Sequence, residues 1–336
     1  MESNEPRQPR VLFVSPPIQL PRVYAHYPMS SNLGMLYHAA LLEREGMEVA
    51  LLDAFFTGPH LNVRPVRGEL RHVGAELGEL RALLAAHRPD VVVIVLTMYS
   101  DVHRLNETYV GELAAMAREL HPGAAILAAD CYVCGINYLS YDPVRLLEQV
   151  PALDGVVVGE GDHRLAEAVR RAAARAPLEG LPQLAWRTPE GLRWDPTRAP
   201  ALRALDDLPR PAFHLLDMDH YFSCLADAIR QDLVHEYHEP ERILPLMTSR
   251  GCNFSCSFCT QQVLGMPWRA YSVACLRETI LFFRERYRVE RFFFLDNNIN
   301  VNARRFAELA SFLAEEGIPW DAVNGFRADY LDREAL

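Results

Sequence analysis

Long apolar runs are missing from this sequence. The longest, such as residues 91–96 (VVVIVL), fall far short of the roughly 20 residues a helix needs to cross a bilayer, so no membrane span is expected. Positive charge is also in deficit. The 34 lysines and arginines face 44 acidic residues, for a net charge of −10, which disfavours a general binder of nucleic acid or of anionic membranes. The N-terminal stretch MESNEPRQPRVLF carries no apolar signal core, and the chain is expected to be cytoplasmic. There is no Walker phosphate loop, no G-x-S-x-G nucleophile motif and no H-E-x-x-H pair among the 12 histidines. The turn Gly159-Glu160-Gly161 lacks the third glycine of a dinucleotide fingerprint. Cysteine is sparse. Seven is an odd number for a cytoplasmic chain, which favours metal ligation or catalysis over disulfides.

Half of the 336 residues are hydrophobic and 23% are charged, a composition that excludes a disordered or fibrous chain and suits about two domains. Up to about residue 175, short β-branched runs alternate with helical patterns. Residues 11–15, 47–52, 91–96, 124–129 and 155–158 suggest strands. Between them, Leu33, Leu36, Tyr37, Ala40 and Leu41 line one helical face, Gly46 stops that helix, and helices follow over 105–121 and 163–174. This alternation predicts an α/β fold with a parallel sheet of flavodoxin-like order, taking ligands at the carboxyl ends of its strands. Residues 185–194 predict a hairpin turning at Glu190-Gly191, and Pro196, Pro200, Pro209 and Pro211 predict an extended connector. The expected division is therefore 1–178, a connector 179–241, and 242–336.

The third segment predicts a second β/α series: a strand over 243–249, a helix over 272–288, a strand over 292–295, a helix capped by Asn302 and stopped at Gly317, and a strand over 320–324. That is three β/α units at most, whereas a complete β/α barrel takes roughly 200–250 residues. The expectation is a partial barrel.

The strongest chemical signal is CNFSCSFC, with Cys252, Cys256 and Cys259 spaced C-x3-C-x2-C after a strand. Three thiolates on one short loop can hold three corners of an iron–sulfur cube, leaving one iron open to a small chelating molecule. A zinc site would want a fourth cysteine or histidine, and no second pair follows. Cys131 and Cys134 form a C-x2-C that could be a metal or redox pair or two ordinary thiols. Cys224 and Cys275 have no partner pattern, and Cys275 is expected in a helix facing the core.

With Phe258 at the aromatic place, this loop resembles the C-x3-C-x-aromatic-C signature of the radical S-adenosylmethionine enzymes. The resemblance implies a 4Fe–4S cluster whose open iron is chelated by S-adenosylmethionine, and cleavage of a carbon–sulfur bond to a 5′-deoxyadenosyl radical. Arg269 and Ser272, in WRAYSVACLRETI, are similar to the segment that opens the first barrel helix in that family. Asp296 and Asn298, in FFFLDNN, stand where members hold the amino group of S-adenosylmethionine; loop polarity and helix capping are the alternative reading. Arg327 and Asp329 resemble the end of the third strand, or an ordinary surface pair.

The N-terminal half is similar to the cobalamin-binding subgroup, through LGMLYHAALLEREGMEVALLDA, RPDVVVIVLTMYS, VVVGEGDHRLAEAV and LDDLPRPAFHLLD. The likeness spans residues 10 to 330. It implies that Thr97, Tyr99, Ser100 and the turn Gly159, Glu160 and Gly161 hold the corrin and its nucleotide tail, with a plain sheet-end loop as the alternative. The Gly-Gly-x-His of many relatives is replaced here by Ala128-Ala129-Asp130-Cys131. Asp101 and His103 only mimic the start of the cobalt-ligating D-x-H-x-x-G motif, since Asn106 replaces its glycine and the motif belongs after the first strand. No histidine ligand to cobalt is expected. The resemblance implies methylation of an unreactive carbon in a natural product, peptide or lipid, with flavodoxin or ferredoxin as electron donor. Radical cyclisation, rearrangement or oxidation is the second reading, and a truncated, non-catalytic cofactor binder the third.

Overall fold

A computed structural model describes residues 7–21, 32–96, 109–131, 142–231, 242–254, 256–257, 267–322 and 324–331. The first unit is built on a seven-stranded sheet. In chain order the strands of this unit are β1 (Arg10–Ser15), β2 (Ile18–Pro21), β3 (Glu48–Asp53), β4 (Val63–Arg67), β5 (Leu70–Val73), β6 (Val91–Leu96), β7 (Ala125–Asp130), β8 (Gly155–Val157), β9 (Leu184–Thr188) and β10 (Gly191–Asp195). The large sheet runs β10-β9-β8-β7-β6-β1-β3. Its five central and edge strands β3, β1, β6, β7 and β8 are parallel, in the flavodoxin-like order.

The sequence pattern explains the layering. Successive strand residues face opposite sides. Val11, Phe13, Val91, Val93 and Val95 pack with Met35, Leu42, Leu165 and Val169, from the helices Leu33–Arg44 and Asp162–Ala173. Leu12, Val14, Val92, Ile94 and Leu96 pack on the other face with Leu80, Leu113 and Leu146, from helices Leu77–Ala86, Val110–Leu120 and Pro143–Gln149. Both faces are covered, which is why residues 91–96 are apolar throughout.

Three features depart from the expectations. The hairpin β9–β10, assigned to the connector, extends the large sheet by antiparallel pairing of β9 on β8. A three-stranded antiparallel sheet, β2-β5-β4, was not foreseen. The proline-rich connector contains a helix, Met218–Arg230, capped by the Asp217 side chain. Of the helix expected over 105–121, the part before residue 109 lies outside the described residues.

The second unit holds β11 (Ile243–Leu246), β12 (Ser249–Arg250), β13 (Arg269–Ala270), β14 (Arg291–Phe294) and β15 (Trp320–Ala322). Strands β11, β14 and β15 form a parallel sheet in that order, and β12 pairs antiparallel with β13. The single strand expected over 243–249 is thus split: after Leu246 the chain leaves the parallel sheet and forms the β12–β13 ribbon. Helices Val273–Tyr287 and Ala303–Glu315 connect the parallel strands; the second is opened by its expected cap, Asn302, and the first is capped by Ser272, which was expected as its first residue.

The two units share a core. Leu33, Leu36, Tyr37 and Leu41 belong to the same apolar cluster as Phe213, Leu244, Phe292, Phe294 and Leu309. The helix Leu33–Arg44 buries every residue from Leu33 to Leu42 because it is covered by the large sheet on one side and the second unit on the other. No helix among the described residues is long and apolar enough to cross a membrane.

Candidate functional site

Parallel pairing fixes the level of the site. Leu246 of β11 is in register with Phe294 of β14, so the residues that follow each strand emerge side by side at the carboxyl edge. There the Asp296 carboxylate accepts from the Thr248 backbone N–H at 2.9 Å, from Thr248 Oγ1 at 2.8 Å and from the Ser249 hydroxyl. Burial raises the Asp296 pKa above the ordinary carboxylate value, against the lowering effect of these donors and of Arg305. Arg305 in turn donates from Nη2 to the Thr248 carbonyl at 2.6 Å and from Nε to the Tyr271 carbonyl at 2.9 Å. The expected ligand for an amino group therefore has its carboxylate engaged within the protein, where it ties the ends of β11 and β14 together.

Asn298 is buried, and its Oδ1 accepts from the Asn300 N–H at 3.2 Å. Asn300, which the sequence reading missed, makes a reciprocal pair with Arg327. Its Nδ2 donates to the Arg327 carbonyl at 2.8 Å, and its Oδ1 accepts from the Arg327 N–H at 3.0 Å. Arg327 thus sits on the loop after β15, next to the loop after β14. Its guanidinium holds Asp329 through two bonds of 2.9 and 2.5 Å and lies over the Phe254 ring at 4.2 Å. Phe254 also meets Tyr330 edge-on at 5.3 Å. Because Phe254 stands between Cys252 and Cys256, these contacts bring the cysteine loop and the end of β15 together. The Asp329 hydrogen bond, with a lesser electrostatic contribution from Cys256, holds the Arg327 pKa above its ordinary value.

Cys252 and Cys256 are half-buried and follow β12 directly. Phe258 and Cys259 lie outside the described residues, as do Thr97, Tyr99, Ser100, Asp101, His103 and Cys134. Among the described residues no three histidine, cysteine or carboxylate side chains gather as a metal site. Two thiols and the position of the third on one loop remain a donor set suited to iron–sulfur ligation. Cys131 is buried, and burial followed by the Asp130 charge pushes its thiol well above the ordinary range, an environment for an inert thiol. Cys224 is buried with its sulfur 3.3 Å from His220 Nε2, and Cys275 is half-buried.

The Gly159-Glu160-Gly161 turn follows β8. Gly159 has φ of +73°, a conformation that a side chain would strain, and its N–H donates to Asp130 Oδ2 at the end of β7, 3.0 Å away. A side chain at Gly161 would approach His38 Nε2 at 3.1 Å. Glu160 is buried, and both its oxygens are engaged: Oε2 with Arg269 Nη1 at 2.7 Å, Oε1 with Arg269 Nη2 at 3.1 Å and with Arg250 Nη1 at 3.2 Å. Asp162 adds two further bonds to Arg250 Nη1, at 2.9 and 3.2 Å. Burial opposes ionisation of Asp162, but Arg250 and His38 outweigh it and the pKa is lowered. Arg250 and Asp162 were not singled out from sequence. The one available sign was an arginine between an apolar strand and a cysteine.

No protein-family model matches the chain. Among curated relatives, it is 28% identical to cytidylyl-2-hydroxyethylphosphonate methyltransferase of Streptomyces wedmorensis, over 90% of this chain and 58% of that protein. It is 25% identical to an uncharacterized methyltransferase of Pyrococcus horikoshii, over 94% and 61%. It is 24% identical to the anaerobic magnesium-protoporphyrin IX monomethyl ester cyclase of Synechocystis, over 97% and 57%. Among solved structures, the cobalamin-dependent S-adenosylmethionine radical enzyme OxsB superposes with a TM-score of 0.64 at 16% identity, covering 95% of this chain and 38% of that one. The chain shares its fold with this enzyme over nearly its whole length. The radical S-adenosylmethionine methyltransferase TsrM from Kitasatospora setae agrees, with a TM-score of 0.60 at 17% identity over 92% of this chain and 51% of that one. The chain spans less than two thirds of the length of each of these relatives.

Proposed function

We propose that this protein is a cobalamin-dependent radical S-adenosylmethionine enzyme that methylates an unreactive carbon of a natural product, peptide or lipid. The observation that carries the proposal is the place of CNFSCSFC: it follows β11 and β12 at the carboxyl edge of a parallel sheet, in a fold shared over 92–95% of the chain with enzymes of that kind. In this reading β11, β14 and β15 are the first strands of a β/α barrel, and residues 10–195 are the cobalamin-binding unit.

Cys252, Cys256 and Cys259 would hold a 4Fe–4S cluster with one iron left for the amino and carboxylate groups of S-adenosylmethionine. Together with cobalamin, these groups supply homolytic carbon–sulfur cleavage and methyl transfer. The chain's own residues position them. Asp296 locks the ends of β11 and β14, and Asn298 and Asn300 set the loop that supports Arg327. Arg327 and Phe254 cover one side of the cysteine loop. The corrin would lie at the carboxyl edge of the large sheet, against Thr97, Tyr99 and Ser100 after β6 and the turn Gly159, Glu160 and Gly161 after β8, since the parallel order reverses between β1 and β6. The electron would come from a low-potential donor such as flavodoxin or ferredoxin.

A second reading, radical cyclisation or oxidation without methyl transfer, is favoured by one finding: one of the three relatives is a cyclase. Anaerobic reconstitution with iron, sulfide, cobalamin, S-adenosylmethionine and a low-potential reductant separates the two. S-adenosylhomocysteine formed in step with a methylated product supports methyl transfer, and 5′-deoxyadenosine without methylation supports the second reading. Neither product from a fully reconstituted protein contradicts both, and Cys252→Ser should abolish whichever product forms.

A further inference from the structure

Four charged side chains meet where the two units touch, and each is at least nine-tenths buried: Glu160 and Asp162 from the turn after β8, Arg250 from β12 and Arg269 from β13. Two negative and two positive charges balance. Taking such groups out of water is costly, and the cost is recovered only where geometry is good and the hydrogen bonds are met. Glu160 meets that condition with three bonds to two arginines. Arg269 makes two further bonds, from Nε to the Pro267 carbonyl at 3.0 Å and from Nη1 to the Leu202 carbonyl at 3.0 Å. Arg250 Nε is buried without a hydrogen-bond partner among the described residues, and its guanidinium stands 5.2 Å from the Tyr37 ring centre.

Arg250 and Arg269 are in register opposite each other in the β12–β13 ribbon. One carboxylate of the first unit therefore holds both strands of the ribbon in the second. Arg250 is two residues before Cys252, so their Cα atoms are at most about 7.6 Å apart.

We propose that Glu160 is a positioning residue for the cysteine loop: its carboxylate clamps both strands of the ribbon that leads into Cys252 and neutralises the arginine charge beside that loop. The inference rests on the reading that Cys252, Cys256 and Cys259 hold an iron–sulfur cluster. It assigns the Gly-Glu-Gly turn a duty toward the cysteine loop, separate from any contact with a corrin. It also predicts an electrostatic signature. Removing the Glu160 charge leaves one uncompensated positive charge near the cluster, which favours the reduced, more negative form. Removing Arg269 leaves one uncompensated negative charge and does the reverse.

The test is a dye-coupled reductive titration, followed by electron paramagnetic resonance, of reconstituted wild type, Glu160→Gln, Arg269→Gln and the double variant. The reduction equilibrium should shift on the order of tenfold toward the reduced cluster in Glu160→Gln, about 59 mV for a one-electron couple. It should shift the opposite way in Arg269→Gln and return toward wild type in the double variant. A residue that only supported the fold would not give opposite signs that cancel. Should Glu160→Gln fail to fold, Arg269→Gln and the charge-balanced double variant still decide the matter. Equal potentials in proteins with full iron overturn this inference alone. A wild-type protein that takes up no iron overturns the cluster reading with it.

Discussion

Asp162 and Asp296 are both buried carboxylates that follow strands of the parallel sheets, and they are kept in opposite ways. Asp162, beside Glu160 after β8, is held ionised by Arg250 across the boundary between the units. Asp296, after β14, sits among hydroxyls and a backbone N–H of its own unit, and burial dominates its titration. The first arrangement joins two units through ion pairs; the second pins two neighbouring strands through a carboxylate whose ionisation burial opposes. Long-range joining needs directional, bidentate partners, for which arginine is suited. Local pinning needs only a short acceptor at the right register.

The largest expected break is Glu160→Ala. It leaves the buried Arg269 guanidinium without its carboxylate, while Arg250 keeps Asp162, and should cost about 3–5 kcal/mol in chemical denaturation, the usual cost of removing one partner from a buried pair. Asp296→Asn should cost less, about 1–3 kcal/mol, because it removes an acceptor from otherwise neutral donors. The pH dependence sharpens the contrast. The lowered pKa of Asp162 gives stability that is fully present above the ordinary value of 3.8 and lost as pH falls through the lowered value. The raised pKa of Asp296 gives stability that is present below 3.8 and lost as pH rises through the raised value. The stability difference between wild type and Asp162→Asn should therefore grow with pH through the acid range. The difference between wild type and Asp296→Asn should shrink. Parallel slopes would erase the distinction.

Smaller effects separate the units. Gly159→Ala strains a backbone at φ +73° and should cost about 1–2 kcal/mol, read in the first unit. Asn302→Ala removes the side-chain acceptor for the Arg305 N–H and should cost about 1 kcal/mol, read in the second. Hydrogen exchange on each variant locates the loss: faster exchange should be confined to the altered unit for Gly159→Ala and Asn302→Ala, whereas Glu160→Ala should speed exchange in both.

The order of β and α elements was legible because residues 11–15, 91–96 and 124–129 carry strongly apolar runs between amphipathic helices. The β2-β5-β4 sheet was not, because its strand β4 is mostly exposed and carries Arg64, Pro65 and Arg67, which breaks the usual strand signature. The helix Met218–Arg230 was hidden by the prolines around it. In the site, the cysteine loop was legible from spacing alone. Asp296 and Asn298 were found at a strand end, as expected, but their hydrogen bonds to Thr248, Ser249 and Asn300 depend on strand register that sequence does not print. The pairing of Glu160 with Arg250 and Arg269 joins residues 90 and 109 positions apart, and no local pattern marks it.

The most direct test is iron, sulfide and cobalt per chain after anaerobic purification with cobalamin supplied. The account predicts about four irons, about four sulfides and one cobalt per chain, with iron lost in Cys252→Ser and cobalt retained. A folded wild-type protein that holds neither iron nor cobalt would contradict it.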